Sequence, residues 1–334
     1  MSYKSGEIYF IREATQDGYS DFVKVGLVAS PRTSQQRLVE HQTGNPRKLA
    51  LLESHVIKTD LVSRVEAQLH SRFAKSRVGG EWFAFRSDAE LEDAILHAKG
   101  LASEAKMIVP ELISADNLSK VESNGVSIAA NSTSIETGRK LAVAKAQKKL
   151  CDVEASKISQ ILVEAVERGE PVDSVSKTYR PKFDQKLFEV EHQLLADKYF
   201  LEEQAWSQRF LLKSKLDAEQ KPEGSFLSEL EEIRRQIDSV SSPEEFSNLS
   251  APSLWLTKLK ALVLWDLDIL EAQLKIECGE NEAIEAVCNW KRGYTTKKVF
   301  DLKSFMVENT SLYLDYLTDE ETKTYPIRDR GSKR

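Results

Sequence analysis

The stretch from residue 6 to residue 83 constrains this chain most, because its strand-like apolar runs are interrupted at short intervals by polar and charged groups of different kinds. Glu7-Ile8-Tyr9-Phe10-Ile11 is aromatic and β-branched and predicts a strand. Asp17-Gly18-Tyr19-Ser20-Asp21 has the short polar side chains and glycine of a loop. Phe22-Val23-Lys24-Val25 then predicts a second strand antiparallel to the first, ended by Gly26, where a missing Cβ permits an unusual dihedral or a close approach. A helix beginning at Ser30-Pro31 or Thr33-Ser34 carries Arg37 and His41, whose spacing of four puts them on one face. Thr43-Gly44-Asn45-Pro46 stops it. A third strand is expected over 49–57, and Asp60 caps a helix through Phe73 on which Glu66 and His70 share a face. Gly79 and Gly80 turn the chain into Glu81-Trp82-Phe83-Ala84-Phe85, and a last helix runs from Asp88 to about Lys99. This pattern predicts a compact α+β unit over residues 1–100, a small antiparallel sheet flanked by helices.

Charge supports a phosphate-facing role for that unit. The whole chain of 334 residues has a net charge of −6, but residues 24–77 hold ten Lys or Arg against four acids, whereas residues 184–285 hold 22 acids against 11 bases. A basic patch on an acidic body can approach a phosphodiester backbone while the body discourages unspecific adhesion. Arg47, Lys48, Arg72, Lys75 and Arg77 are the expected nucleic-acid contacts within it. Ordinary solvated surface is the bland alternative.

Phosphodiester hydrolysis needs an activated nucleophile, positive charge to meet what grows on the phosphoryl oxygens, and help for the leaving oxygen. Glu66 is a hard oxygen ligand suited to Mg2+ or Mn2+, and one carboxylate can suffice because magnesium retains waters and takes oxygens from substrate. Arg37 can hold a phosphate oxygen through its planar fork. Tyr9 can deprotonate or orient water with Lys24 keeping it polarised, or either can donate to the phosphate, which leaves His41 as a further proton-transfer group. The competing reading makes Tyr9 sheet core, pairs Arg37 with Glu40 or Glu66, and has His41 and His70 only cap or pack.

The ordered set resembles the GIY-YIG nuclease superfamily. Gly6-Glu7-Ile8-Tyr9 looks like its first strand motif, Lys24-Val25-Gly26 like its second, Arg37 with His41 like its helix motif, and Glu66 like its metal-binding glutamate. Gly80-Glu81-Trp82-Phe83, with Lys24 in place of the second motif's tyrosine, is similar to a divergent branch known from phage reading frames and a meiotically up-regulated fungal gene. The resemblance covers residues 5–90. It implies a three-stranded sheet, a single divalent metal, DNA cleavage, and phage defence or mobile-element biology at the level of the family, with Gly26, His70 and Trp82 in support of the site. Three departures stand out: Glu7 separates the glycine from Ile-Tyr, a lysine replaces the second tyrosine, and Glu81 or Trp82 occupies the neighbourhood of a late asparagine.

The rest of the chain predicts a mainly α-helical body. Residues 101–136 are expected to be a linker or docking segment, richest in Ser and Asn from 114 on, and residues 137–320 a helical domain. Lys145, Lys148 and Lys149 lie on its first helix as further phosphate contacts or as a solvated face. After a break around Pro171, a long helix is expected over 183–216, a strongly apolar one over 254–276 as bundle core or partner interface, and a last one over 300–317. Trp290 to Lys298 mixes aromatic and cationic groups, as either a nucleic-acid contact or a packed loop, and residues 321–334 form a basic tail.

Hydrophobic residues at 41% and charged residues at 30% describe a soluble globular chain, and no run approaches the ~20 apolar residues a membrane span requires. With no apolar segment after Lys4 and three scattered cysteines, a cytoplasmic location without membrane partners is expected. Two functions follow. One is a metal-dependent DNA endonuclease whose helical body supplies specificity, autoinhibition, or a homodimer or protein interface; the other is a catalytically weak or inactive DNA-binding or assembly protein.

Overall fold

The structure is a computed structural model that describes residues 4–16, 18–43, 45–168, 177–213, 221–240, 245 and 248–324. Pro171, the last three residues of the helix expected over 183–216 and the end of the basic tail from residue 325 lie outside the described residues.

Strand β1 (Gly6–Thr15) is central to the first sheet, and its unbroken apolar run reflects cover on both faces. Ile8 and Phe10 enter one core with Val23 and Val25, while Tyr9 and Ile11 enter another with Val28 and Leu49, as the alternation of a strand requires. Strand β2 (Gly18–Ala29) pairs antiparallel with β1, placing Gly26 opposite Tyr9 and Lys24 opposite Ile11. The sheet has six strands, not the three expected. The predicted third strand is split by a short 3-10 turn at Glu53–His55 into β3 (Leu49–Leu51) and β4 (Ile57–Thr59), which share the outer edge of β1. On the other side, the Gly79-Gly80 turn closes a hairpin of β5 (Arg77–Gly79) and β6 (Trp82–Ala84) onto β2. Gly80 adopts φ 52°, a conformation that favours glycine.

Helix α1 (Ser34–Gln42) starts in a reciprocal capping box between Thr33 and Gln36. Helix α2 (Val62–Arg72) buries Val62, Val65 and Leu69 against the sheet. Helix α3 (Asp88–Leu118) runs well past Lys99, because Leu101, Ala105, Leu112 and Ala115 continue its buried stripe.

The body that follows is mainly helical. Helix α4 (Ser132–Glu167) packs along α8 (Ser250–Cys278), with α7 (Ser225–Asp238) beside them. The segment before α4 is docked: Ser127–Ile128, strand β7, pairs with Ala283–Ile284, strand β10. Where one long helix was expected, two short ones, α5 (Gln185–Glu191) and α6 (Gln193–Ala196), follow β8 (Lys177–Phe183) and precede strand β9 (Phe200–Leu212). β9 pairs along its whole length with β11 (Cys288–Phe300), and this non-local ladder overrides the helix-like spacing of Trp206 and Phe210. Trp290 and Arg292 therefore stand in a strand. Trp290 is fully buried, and Arg292 lies 3.6 Å over its ring and donates to the carbonyls of Leu118, Gly279 and Asn281, so this cationic-aromatic run is structural at its start. Beyond the ribbon, α9 (Leu302–Glu308), α10 (Thr310–Asp315) and β12 (Leu317–Thr324) replace the expected last helix, and Phe183, Phe188, Phe300 and Phe305 form a small aromatic core there.

α8 joins the parts. Trp265 and Ala272 belong to the core of the first sheet, Leu256, Leu259 and Val263 to the core with α4 and α7, and Leu274 and Cys278 to a third. Among the described residues no helix is long and apolar enough to cross a membrane, and the three cysteines are free and buried. Trp265→Ala removes an indole that is only 7% exposed, and is expected to cost about 3–5 kcal/mol of stability in urea unfolding.

Candidate functional site

Tyr9 sets the geometry. Its ring lies on the backbone of Gly26, where a Cβ would come within 2.4 Å of the hydroxyl oxygen, so the glycine exists to let a large side chain cross strand β2. Its hydroxyl and His41 Nε2 are 3.1 Å apart. Glu7, which interrupts the strand motif, has a structural reason: the Ser34 backbone N–H and hydroxyl both donate to its carboxylate at 2.8 Å. That bond ties the N-terminus of α1 to β1 and aims Arg37 and His41 at Tyr9, with an acid where the helix dipole favours one.

Burial, reinforced by the charge of Glu81 and opposed by Arg37, pushes the Tyr9 phenol up to about 12. It is protonated at neutral pH, which suits donating or orienting rather than accepting a proton. Burial, with the charges of Lys24 and Arg37, holds His41 down to about 4, so its imidazole is neutral and has one nitrogen free to accept. Arg37 donates to Glu40 at 2.5 Å, the surface pairing anticipated for it, and its charge acts on the Tyr9 phenol. Lys24 is buried on the Tyr9 face of β2, and its ammonium donates to Glu81 at 2.7 Å. Although burial raises it, the Glu81 carboxyl lies below its ordinary value because of the charge and hydrogen bond of Lys24. The tight turn at Gly80 delivers Glu81 there, where its carbonyl also accepts from the Val25 N–H.

Glu66 projects from α2 and is 3% exposed. Its partner is Lys258 of α8, 192 residues away in the chain, whose ammonium donates to Glu66 Oε2 at 2.5 Å. Burial raises the Glu66 carboxyl and the charge of Lys258 opposes that rise. His70, one turn along, donates from Nε2 to the Val25 carbonyl at 2.9 Å and fixes α2 beneath β2; burial and then the charge of Lys258 hold it down to about 3. Trp82 packs over Tyr9 and Ile11.

A cleft of about 470 Å³ opens beside the Lys24–Glu81 pair, lined by Lys24, Arg47, Glu81, Trp82, Leu254 and Lys258, with Tyr9, Arg37, His41 and Glu66 behind its lining. The other expected contacts are dispersed. Arg47 reaches the cleft while paired with Glu13 at 2.8 Å, and Lys48 is exposed beside it in sequence. Arg72 and Lys75 line a separate cleft between α2 and α7, which also holds His97 and Trp255. Arg77 is half-buried, with its guanidinium 5.5 Å over Phe83. Lys145, Lys148 and Lys149 sit on α4, away from the cleft lining, and Lys148 is paired with Asp152.

The residues of the cluster do not fit a divalent ion of the kind the resemblance implies. Mg2+ or Mn2+ prefers about six oxygen ligands, yet both nearby carboxylates, Glu66 and Glu81, already accept from lysine ammonium groups. Among the described residues no three His, Cys, Asp or Glu side chains gather as a metal site. The sequence pattern brought Tyr9, Lys24, Arg37, His41 and Glu66 to one place; Glu7, Glu81 and Lys258 were the members it missed. Glu7 and Glu81 stood in the motifs as departures, whereas nothing local marked Lys258.

The family described as the T5orf172 domain matches residues 6–98, and that domain is linked to the GIY-YIG nuclease superfamily. No curated protein and no solved structure matches the chain.

Both histidines make the site sensitive to acid. The unfolded chain takes up their protons near pH 6.5, the folded chain only near 4 at His41 and 3 at His70, so the unfolded state binds more protons in between. Thermal melts are expected to show stability falling from pH 6.5 towards pH 4, and His70→Gln is expected to flatten that fall.

Proposed function

We propose that the chain is a DNA-binding protein whose nuclease-like N-terminal region holds the phosphodiester backbone and cleaves it weakly or not at all. One observation carries this: the carboxylate that cleavage would need for a metal, Glu66, is engaged by Lys258, while the cations Lys24, Arg47 and Lys258 line the cleft above it. Arg37 and Arg47 are held in ion pairs at the protein surface with Glu40 and Glu13. Such exposed pairs are worth little, ~0–1 kcal/mol. A phosphate can take over their guanidinium forks at small cost. Lys24 adds a donor from the cleft wall.

A DNA endonuclease is the second reading, favoured by the convergence of Tyr9, Arg37 and His41. The chemistry there would rest on Arg37 meeting charge on the phosphate and on the neutral imidazole of His41 taking a proton.

Fluorescence anisotropy with a short DNA duplex at increasing salt tests the binding. Affinity should fall steeply with salt, and Arg37→Ala and Arg47→Ala should each weaken it and lower the slope of log K against log salt by about one. Absence of binding at low salt would refute the proposal. Supercoiled DNA incubated with Mg2+ or Mn2+ should stay close to background; nicking by the wild type that Glu66→Gln abolishes would establish the endonuclease instead.

A further inference from the structure

We infer that Lys258 is the permanent cation of the cleft: it takes the place beside Glu66 that a divalent ion would need, and it binds DNA phosphate directly. This rests on the DNA-binding reading and adds a residue and a metal independence that it does not contain.

Charge balance is the first support. Glu66 and Glu81 face Lys258 and Lys24, two acids against two ammonium groups, all four largely withdrawn from water. A divalent ion added at Glu66 would leave two uncompensated charges in a poorly solvated site, close to the lysines whose repulsion it would meet. It would also have to strip the carboxylate from an ammonium bonded at 2.5 Å.

The helix that carries Lys258 decides between a permanent cation and a removable plug. A plug belongs on a lid with little core of its own. Lys258 sits instead between Leu256 and Leu259, which are 3% and 5% exposed, on a helix whose later residues Trp265 and Ala272 enter the core beneath the first sheet. Withdrawing α8 would strip side chains from three cores. Swinging only the side chain away would leave the Glu66 carboxylate buried without a counter-charge.

Access to substrate is the remaining requirement. An ammonium has three donors, and one is given to Glu66. The side chain is 18% exposed and lines the cleft beside Leu254, so the remaining donors can reach a phosphate oxygen there.

The test has arms that fail separately. Mn2+ titration of the full chain, read by loss of the free-ion electron paramagnetic signal, should be the same for wild type and Glu66→Gln; binding that Glu66→Gln abolishes overturns the inference. Reductive methylation read by mass spectrometry should find Lys258 protected in the wild type, more reactive in Glu66→Gln, and unchanged by Mn2+. A rise on adding Mn2+ would mean that the metal displaces the lysine, contrary to the inference. In EDTA the wild type should still bind the duplex, and Lys258→Met should lose about tenfold in affinity. Should Lys258→Met fail to fold, the paired variant Lys258→Met with Glu66→Gln removes both buried charges together, and wild-type affinity in that variant overturns the phosphate role. If the wild type binds no DNA at all, the DNA-binding reading falls, and the Mn2+ and methylation arms still decide whether lysine or metal occupies Glu66.

Discussion

A carboxylate as deeply buried as Glu66 must be neutral, metal-bound or paired, and here it is paired with an ammonium from the far end of the chain. Much else depends on that solution. For Lys258 to arrive at α2, helix α8 must cross the first sheet's core at one register, and Trp265 and Ala272 are buried there in consequence. Buried ion pairs contribute little net stability because desolvation consumes most of the attraction, yet breaking one is expensive. The pair therefore serves as a registration device: misplacement of α8 is penalised at Glu66 even where apolar contacts would tolerate a shift.

The same requirement shapes the rest of the cleft. Its buried cation Lys24 is answered by Glu81 and its more exposed cation Arg47 by Glu13, while Arg37, outside the lining, is answered by Glu40. The gradient matters for function. Deep pairs are fixed by the low dielectric around them, whereas surface pairs exchange partners readily. In the proposed DNA-binding role, a phosphate would exchange with the surface pair of Arg47 before reaching the fixed ammonium groups of Lys24 and Lys258. Behind the cleft lining, Tyr9, kept protonated by burial, and His41, kept neutral, pair with each other at neutral pH.

Strand, helix and turn were legible around the site wherever the signal was local. Alternation along β1 separates Ile8 and Phe10 from Tyr9 and Ile11, and helical spacing puts Arg37 beside His41 and Glu66 beside His70. The turn at Gly80 and the close approach at Gly26 also follow from residue type. Legibility failed where pairing is non-local. β9 carries Trp206 and Phe210 at helical spacing and becomes a strand only because β11 offers it a partner across the whole of Phe200–Leu212. The split of the third strand into β3 and β4 depends on how much edge β1 leaves free, which composition does not express.

The sequence by itself determined the order of β1, β2, α1, α2 and α3 and which side chains would meet at Tyr9, since strand and helix periods act over a few residues. It also determined that the long apolar stretch around Trp265 would be a helix, as bundle core or partner interface, and the structure makes it core. Only the tertiary structure decided that this helix would run beneath the first sheet and that Lys258 would meet Glu66. The reason is physical: many lysines can neutralise a carboxylate in principle, and which one does so is settled by the packing of cores that bring two distant segments within 2.5 Å.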